Sequence, residues 1–206
     1  NDLITVSGGI FTINGGQIAL TELTPAASVG AVIGLGNYNL INYSGASNAF
    51  DFAAGSQFSN LSLASSVIGA NNYYVTLVHD TVNKIIQLNV DNARFWSGAT
   101  DGQWNTTVAN WSPANFFING DKVIFQDTFP TNAGNVNVVN TNIDLTATVT
   151  PAAVTFNNTA VNYTLSGTED ITGMTGLSKS GTGSLTISNA NTFSGNTTIS
   201  GGYVEM

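Results

Sequence analysis

Apolar residues in this chain recur in short alternating runs, separated by Gly, Asn, Ser and Thr. Between Leu3 and Leu23 the pattern predicts three strands, Leu3 to Val6, Ile10 to Ile13 and Gln17 to Leu23, parted by Gly8-Gly9 and Asn14-Gly15-Gly16. After a looser connection from Pro25 to Gly36 it predicts strands at Tyr38 to Tyr43, Phe50 to Phe52, Asn60 to Leu63, Tyr73 to His79 and Lys84 to Val90. Asp80-Thr81-Val82-Asn83 is a connection of hairpin length between the last two. In that hairpin the period of two places Tyr74, Thr76 and Val78 on one face and Val75, Leu77 and His79 on the other. The middle of the chain predicts strands at Lys122 to Phe125, Asn135 to Asn140 and Leu145 to Val149, with a turn at Pro130 to Gly134. Short strands with Gly-rich corners at this spacing belong to sandwiches, barrels or solenoids.

Composition narrows the choice. Asn, Thr, Gly and Ser number 27, 26, 22 and 18, and the hydrophobic fraction is nevertheless 42%. Disordered chains are poor in apolar residues and rich in charge, whereas only 8% of residues here are charged. The chain therefore folds, and the scarcity of Glu, Lys, Gln and Arg favours strands and turns over helices. The fold class expected is all-β.

From Pro151 onward the text repeats: Val154-Thr-Phe-Asn-Asn, Tyr163-Thr-Leu-Ser-Gly, Leu177-Ser-Lys-Ser-Gly, Leu185-Thr-Ile-Ser-Asn and Thr198-Ile-Ser-Gly-Gly. Self-similar short strands, each closed by Ser, Asn or Gly, fit a parallel β-helix whose strands stack about 4.8 Å apart. At roughly twenty residues per coil the chain would make about ten coils and a rod about 50 Å long. Stacked Asn and Thr would add hydrogen-bond ladders. Leu165, Leu177, Leu185, Ile187 and Ile199 are expected to point inward, and Lys179 is expected at an exposed corner. Strand-like sequence at both ends, Leu3-Ile-Thr-Val and Tyr203-Val-Glu-Met, reads as two open edges cut from a longer or processed chain.

The stretch Gly176-Leu-Ser-Lys-Ser-Gly-Thr-Gly-Ser-Leu-Thr-Ile, then Asn191-Thr-Phe-Ser-Gly, then Thr197-Thr-Ile-Ser-Gly-Gly, resembles the autotransporter-associated β-strand repeat. Ile187 stands where that motif has a second Leu, and Phe193 where it has Tyr. Segments similar to Trp96 to Trp111 commonly precede the repeat, and Tyr38 to Val90 more weakly resembles a segment found between repeats. The resemblance implies a right-handed parallel β-helix in the passenger of a large secreted or surface bacterial protein, and it implies no catalytic residue. A hairpin or a small sandwich-like part is also expected within the first 90 residues. The domain reading is a β-rich segment at 1–92, a Trp-containing segment at 93–153 and repeat coils at 154–206.

Charge and side-chain chemistry exclude most other functions. With one histidine, no cysteine and a net charge of −8, the chain lacks the ligands of a zinc or iron–sulfur site and should repel nucleic acid and anionic membranes. No apolar run is long enough for a membrane-spanning helix. His79 and Asp80, with Ser66 upstream, evoke a Ser-His-Asp triad, but no Gly-x-Ser-x-Gly elbow accompanies them. His79 reads as a turn or surface residue. Asp121, Lys122 and Asp127 are the nearest thing to a polysaccharidase cluster, yet the aspartates read as solvated strand-end carboxylates. Asp91-Asn92 and Asp101-Gly102 are turn oxygens that a calcium ion would want, without calcium-loop spacing. Glycosylation sequons start at Asn42, Asn60, Asn105, Asn110, Asn157, Asn162 and Asn196, as so Asn-rich a chain produces by chance. Trp96, Trp104 and Trp111, spaced by eight and seven, either close the end of a core or stack on sugars, core closure being the stronger reading.

The sequence therefore predicts no catalytic residue, no cofactor and no metal site. Its expected function is that of a structural module in an extracellular or cell-surface bacterial fibre or adhesin stalk. Partners would be further copies or covalent continuation end to end, and a surface glycan. A carbohydrate-binding adhesin tip is the alternative, and a polysaccharide-degrading β-helix enzyme stands behind both.

Overall fold

A computed structural model of the chain describes residues 4–5, 16–18, 35–44, 61–63, 67–68, 73–131 and 134–206. Two compact units emerge, Asn1–Asp91 and Asn92–Met206. All regular structure in the described residues is strand and turn, as the composition demanded. The predicted strands Ile10 to Ile13 and Phe50 to Phe52 lie outside the described residues, as does Ser66.

The first unit contains β1 (Ile4–Thr5), β2 (Gly16–Ile18), β3 (Gly36–Asn42), β4 (Leu61–Leu63), β5 (Val67–Ile68), β6 (Tyr73–Asp80) and β7 (Ile85–Asp91). Five of them form one sheet in the order β1-β3-β7-β6-β5, and β2 pairs with β4. The hairpin foreseen from the sequence is β6–β7, in register from Tyr74↔Asp91 to Asp80↔Ile85. Asp80 closes its turn by accepting the Val82 and Asn83 backbone N–H groups at 3.0 and 2.9 Å. Val75, Leu88 and Val90 form a small core on one face, with Leu40, Leu63 and Tyr73 packed against it. The opposite face is polar, with side-chain amide bonds from Asn89 to Asn37 at 2.7 Å and from Gln87 to Asn39 at 2.8 Å. Period two in the sequence thus becomes one buried and one wet face.

The second unit runs through β8 (Ala93–Trp96), β9 (Gln103–Trp104), β10 (Trp111–Ser112), β11 (Lys122–Gln126), β12 (Thr128–Thr131), β13 (Gly134–Asn137), β14 (Asn142–Leu145), β15 (Ala153–Asn157), β16 (Tyr163–Gly167), β17 (Leu177–Ser180), β18 (Ser184–Ile187), β19 (Thr197–Ile199) and β20 (Tyr203–Glu205). These strands build two ladders. One has the order β8-β11-β15-β17-β19, parallel throughout, with β10 added antiparallel to β8. The other has the order β9-β14-β16-β18-β20, again parallel. The chain alternates between the ladders: β8 with β9 starts the stack, and β11 with β14, β15 with β16, β17 with β18 and β19 with β20 follow as four successive rungs, numbered from β11–β14. In the second ladder Asn142 pairs with Thr164 and Tyr163 with Leu185, a stride of 22 residues each time. A third line of contact runs through a parallel bridge from Val149 to Ile171. The β12–β13 hairpin is an antiparallel outgrowth between rungs.

In-register stacking explains why these residues form these strands. Equivalent positions on successive rungs meet directly, so like packs on like: Phe125 lies opposite Phe156, their rings stacked 4.4 Å apart at 10°. Val123, Val154 and Leu177 form a second column, and Ile143 and Leu165 a third, all buried. Asn and Gly at the corners let the backbone turn and approach the next rung closely. The region from Val154 to Met206 is parallel, as expected from its repetition. Leu165, Leu177 and Leu185 are buried and Ile187 packs partly against the core, whereas Ile199 is 52% exposed at the edge of its ladder. Two strands of the middle segment differ from expectation: β13 is Gly134–Asn137 and β14 is Asn142–Leu145, while Val149 makes only its bridge.

Candidate functional site

The three tryptophans meet at the β8–β10 end of the second unit. Trp96 and Trp111 lie edge to face at 5.0 Å, Trp104 and Trp111 at 5.4 Å, and all three touch the Phe125 ring. Phe117 completes the cluster against Trp104 and Trp111. Each indole is almost wholly enclosed, and the Trp96 ring N–H donates to the Asn140 carbonyl at 2.6 Å. Buried rings offer no face to a sugar, so a glycan site built on these tryptophans is overturned in favour of core closure. At this end the ladders stop on the two-residue strands β9 and β10, and Pro113 follows directly on β10.

The other end of the ladders is different. Here β19 and β20 bound a groove of about 410 Å³ lined by Leu177, Ile187, Phe193, Ile199, Val204 and Met206. Ile199 and Met206 are exposed along it.

The charged residues depart most from expectation. Asp121 is not a solvated carboxylate but is buried 3.1 Å from the Arg94 guanidinium, itself buried, and it accepts the Ile118 N–H at 3.0 Å. Burial raises its pKa, against the opposing pull of that N–H and of Arg94. Asp127 accepts the backbone N–H groups of Thr159, Ala160 and Val161 at 3.0, 3.1 and 3.2 Å. Both carboxylates are engaged in holding the backbone or a buried cation, which removes the acid/base pair a polysaccharidase would need.

Lys179 is not at an exposed corner. Its register partner on the preceding rung is Phe156, and it shares the inward parity of Leu177, so its stem enters the core. It is fully buried, and its ammonium donates to the Ser180 carbonyl at 2.6 Å and the Gly181 carbonyl at 3.2 Å, with Gly201 at 3.5 Å. Burial lowers its pKa, and the negative charge of Asp127 partly offsets this. Two-residue spacing from Leu177 was the available signal; treating any lysine as a surface residue obscured it.

The remaining candidates have structural partners. The Tyr43 hydroxyl and His79 Nε2 are hydrogen-bonded at 2.5 Å, and burial lowers the His79 pKa. Asp80 holds its own turn, so the carboxylate of the supposed triad already has a task. Asp101 accepts from Gln103 N–H and from the Asn110 amide at 2.8 and 2.7 Å. Asn110, in a sequon, is completely buried, its side-chain amide oxygen receiving the Thr100 and Asp101 N–H groups. Asn92 donates to the Gly120 carbonyl at 3.1 Å. Among the described residues no three of His, Cys, Asp and Glu converge as metal ligands, and no helix is long and apolar enough to cross a membrane.

What these features define is a β protein of laddered parallel strands, whose polar groups serve the ladder's corners and whose aromatic residues close one end. Comparison with known proteins places a repeat within it: residues 177–206 match the family described as Passenger-associated-transport-repeat. A curated relative, the adhesin BmaC autotransporter of Brucella suis biovar 1 (strain 1330), is 33% identical over 129 aligned residues. That alignment covers 51% of this chain and 4% of the relative, so the chain spans a small part of the relative's length. No solved structure matches. Residues 177–206 are thus similar to a passenger-associated transport repeat, and a longer stretch of the chain is similar to an autotransporter adhesin.

Proposed function

We propose that this chain is a structural module of an extracellular bacterial passenger, in which the second unit is a stretch of right-handed parallel β-helix giving length, rigidity and surface display. The observation that carries the reading is the pair of parallel ladders fed alternately by one chain. Each added rung lengthens such a stack by about 4.8 Å. The match of the last rungs to a passenger repeat supports export and display, and kinship with an adhesin supports a place at the cell surface. End-to-end extension, by covalent continuation or a second copy, would use the β19–β20 edge, where strand backbone and apolar side chains are exposed together.

No reaction is assigned, since the carboxylates nearest to a catalytic cluster are held by Arg94 and by backbone N–H groups. Electron microscopy of the native material tests the reading: rods or filaments support it. Compact globules that bind a glycan on an array with an affinity unchanged by Trp104→Ala would replace it with an adhesive-tip reading.

A further inference from the structure

On the first three rungs a different polar side chain serves the corner after the first ladder. Register places Phe125, Phe156, Lys179 and Ile199 in one column. Two residues further along each strand come Asp127, Asn158, Gly181 and Gly201. At the first rung Asp127 accepts three N–H groups from the following rung's loop, 159–161. At the second, the buried Asn158 amide donates to Val161 O of its own rung at 2.7 Å and to Ser184 O of the next at 3.0 Å. At the third, the Lys179 ammonium binds carbonyls of its own corner and reaches Gly201 O of the next. Each of these three side chains reaches the rung that follows its own, whereas Thr182 Oγ1 at the same corner reaches back to Thr159 O at 3.4 Å.

We propose that Asp127, Asn158 and Lys179 form a series of one-way staples, in which each rung's corner group, half-buried at Asp127 and buried at Asn158 and Lys179, is completed by the rung that follows it. The device goes beyond the proposed function and rests only on the ladder pairing. Its physical basis is asymmetric: a buried donor or charge with its partner removed is costly, whereas a backbone carbonyl at an opened edge is re-solvated by water. Detaching a rung therefore exposes the backbone on one side and strands a buried side chain on the other. Close approach at this corner depends on glycine. A Cβ on Gly202, whose φ is +64°, would lie 2.9 Å from Lys179 Nζ and 2.3 Å from Gly183 O. Three different side chains perform one task because each corner offers a different backbone group: N–H groups to a carboxylate, carbonyls to an amide and an ammonium. The column thus couples the stability of neighbouring rungs, and it assigns Lys179 to joining the third rung to the fourth.

Hydrogen exchange of the full 206-residue chain, read by mass spectrometry, tests this with two variants. Lys179→Met keeps the buried stem and removes the ammonium. Its expected effect is at least a tenfold faster exchange in 197–205, with 153–157 on the preceding rung changed less than twofold. Asn158→Ala should act one rung earlier, speeding exchange in 184–187 at least tenfold and leaving 122–126 within twofold. Wild-type exchange in both variants would overturn the staples. So would loosening spread evenly over the second unit, or falling on the preceding rung, because either would mean that these side chains only fill the core. If Lys179→Met does not fold, Asn158→Ala decides the matter by the same criteria.

Discussion

Replacing Phe156 with Ala probes the in-register stacking on which the second unit depends. The side chain is fully buried, its ring stacked on Phe125 at 4.4 Å and set edge to face against Tyr163 at 5.6 Å. Removing a buried phenylalanine costs about 3–5 kcal/mol through lost transfer free energy and the cavity left behind. Of this, each aromatic pair accounts for about 0.5–1.5 kcal/mol. The cavity should collapse poorly, because backbone hydrogen bonds to rungs on both sides fix the β15 strand. Domains are typically stable by about 5–15 kcal/mol, so the variant should still fold while losing a large share of its margin. With a urea dependence of about 2 kcal/mol per molar, a loss of about 4 kcal/mol moves the midpoint down by about 2 M. Tryptophan fluorescence is the suitable readout, since all three tryptophans lie in this unit and next to Phe125. Val136→Ala, on the exposed β13 strand, is the control and should shift stability by less than about 0.5 kcal/mol. A midpoint within about 0.5 M of wild type for Phe156→Ala would refute the reasoning, because the column would then not be a packed one.

Leu185→Ala, in the buried interior, should cost about 2–5 kcal/mol in the same assay, whereas Ile199→Ala, half-exposed at the ladder edge, should cost less than about 1 kcal/mol. Arg94→Met leaves the buried Asp121 without its cation and should cost about 3–5 kcal/mol, while the double variant Arg94→Met/Asp121→Leu should recover a good part of that loss; a double variant no more stable than the single would count against the buried pair. Tyr163 donates to the Gln126 carbonyl at 2.8 Å, and burial raises its pKa above the ordinary tyrosine value of about 10. A folded-state pKa above the unfolded one gives stability that is fully present below about pH 10 and lost as pH rises beyond it. Tyr163→Phe should therefore be less stable than wild type at pH 8 and lose less on going to pH 11, as urea midpoints at the two values will show.

Alternation, corner residues and repetition were enough to predict an all-β chain, the β6–β7 hairpin with its two faces, and parallel pairing after Pro151. These features are local: period two sets which residues share a face, and Gly or Asn marks where the backbone turns. The repeat resemblance was legible for the same reason, being written in consecutive residues. Several decisions belonged to tertiary structure. Val136 and Val138 alternate as well as any core strand, yet β13 with Val136 is exposed throughout its length while Val138 just beyond it packs against the core, because period two cannot say whether another layer covers either face. Asp121 looked like a strand-end carboxylate until folding brought it to Arg94, 27 positions away in the sequence. That the tryptophans close a core depended on Phe117 and Phe125 arriving beside them. Lys179 shows the division most clearly: its spacing from Leu177 already put it on the inner face. Folding turned its own corner so that the Ser180 and Gly181 carbonyls meet the ammonium, and stacking of the next rung brought the Gly201 carbonyl within reach, because a buried charge is stable only where polar groups converge on it.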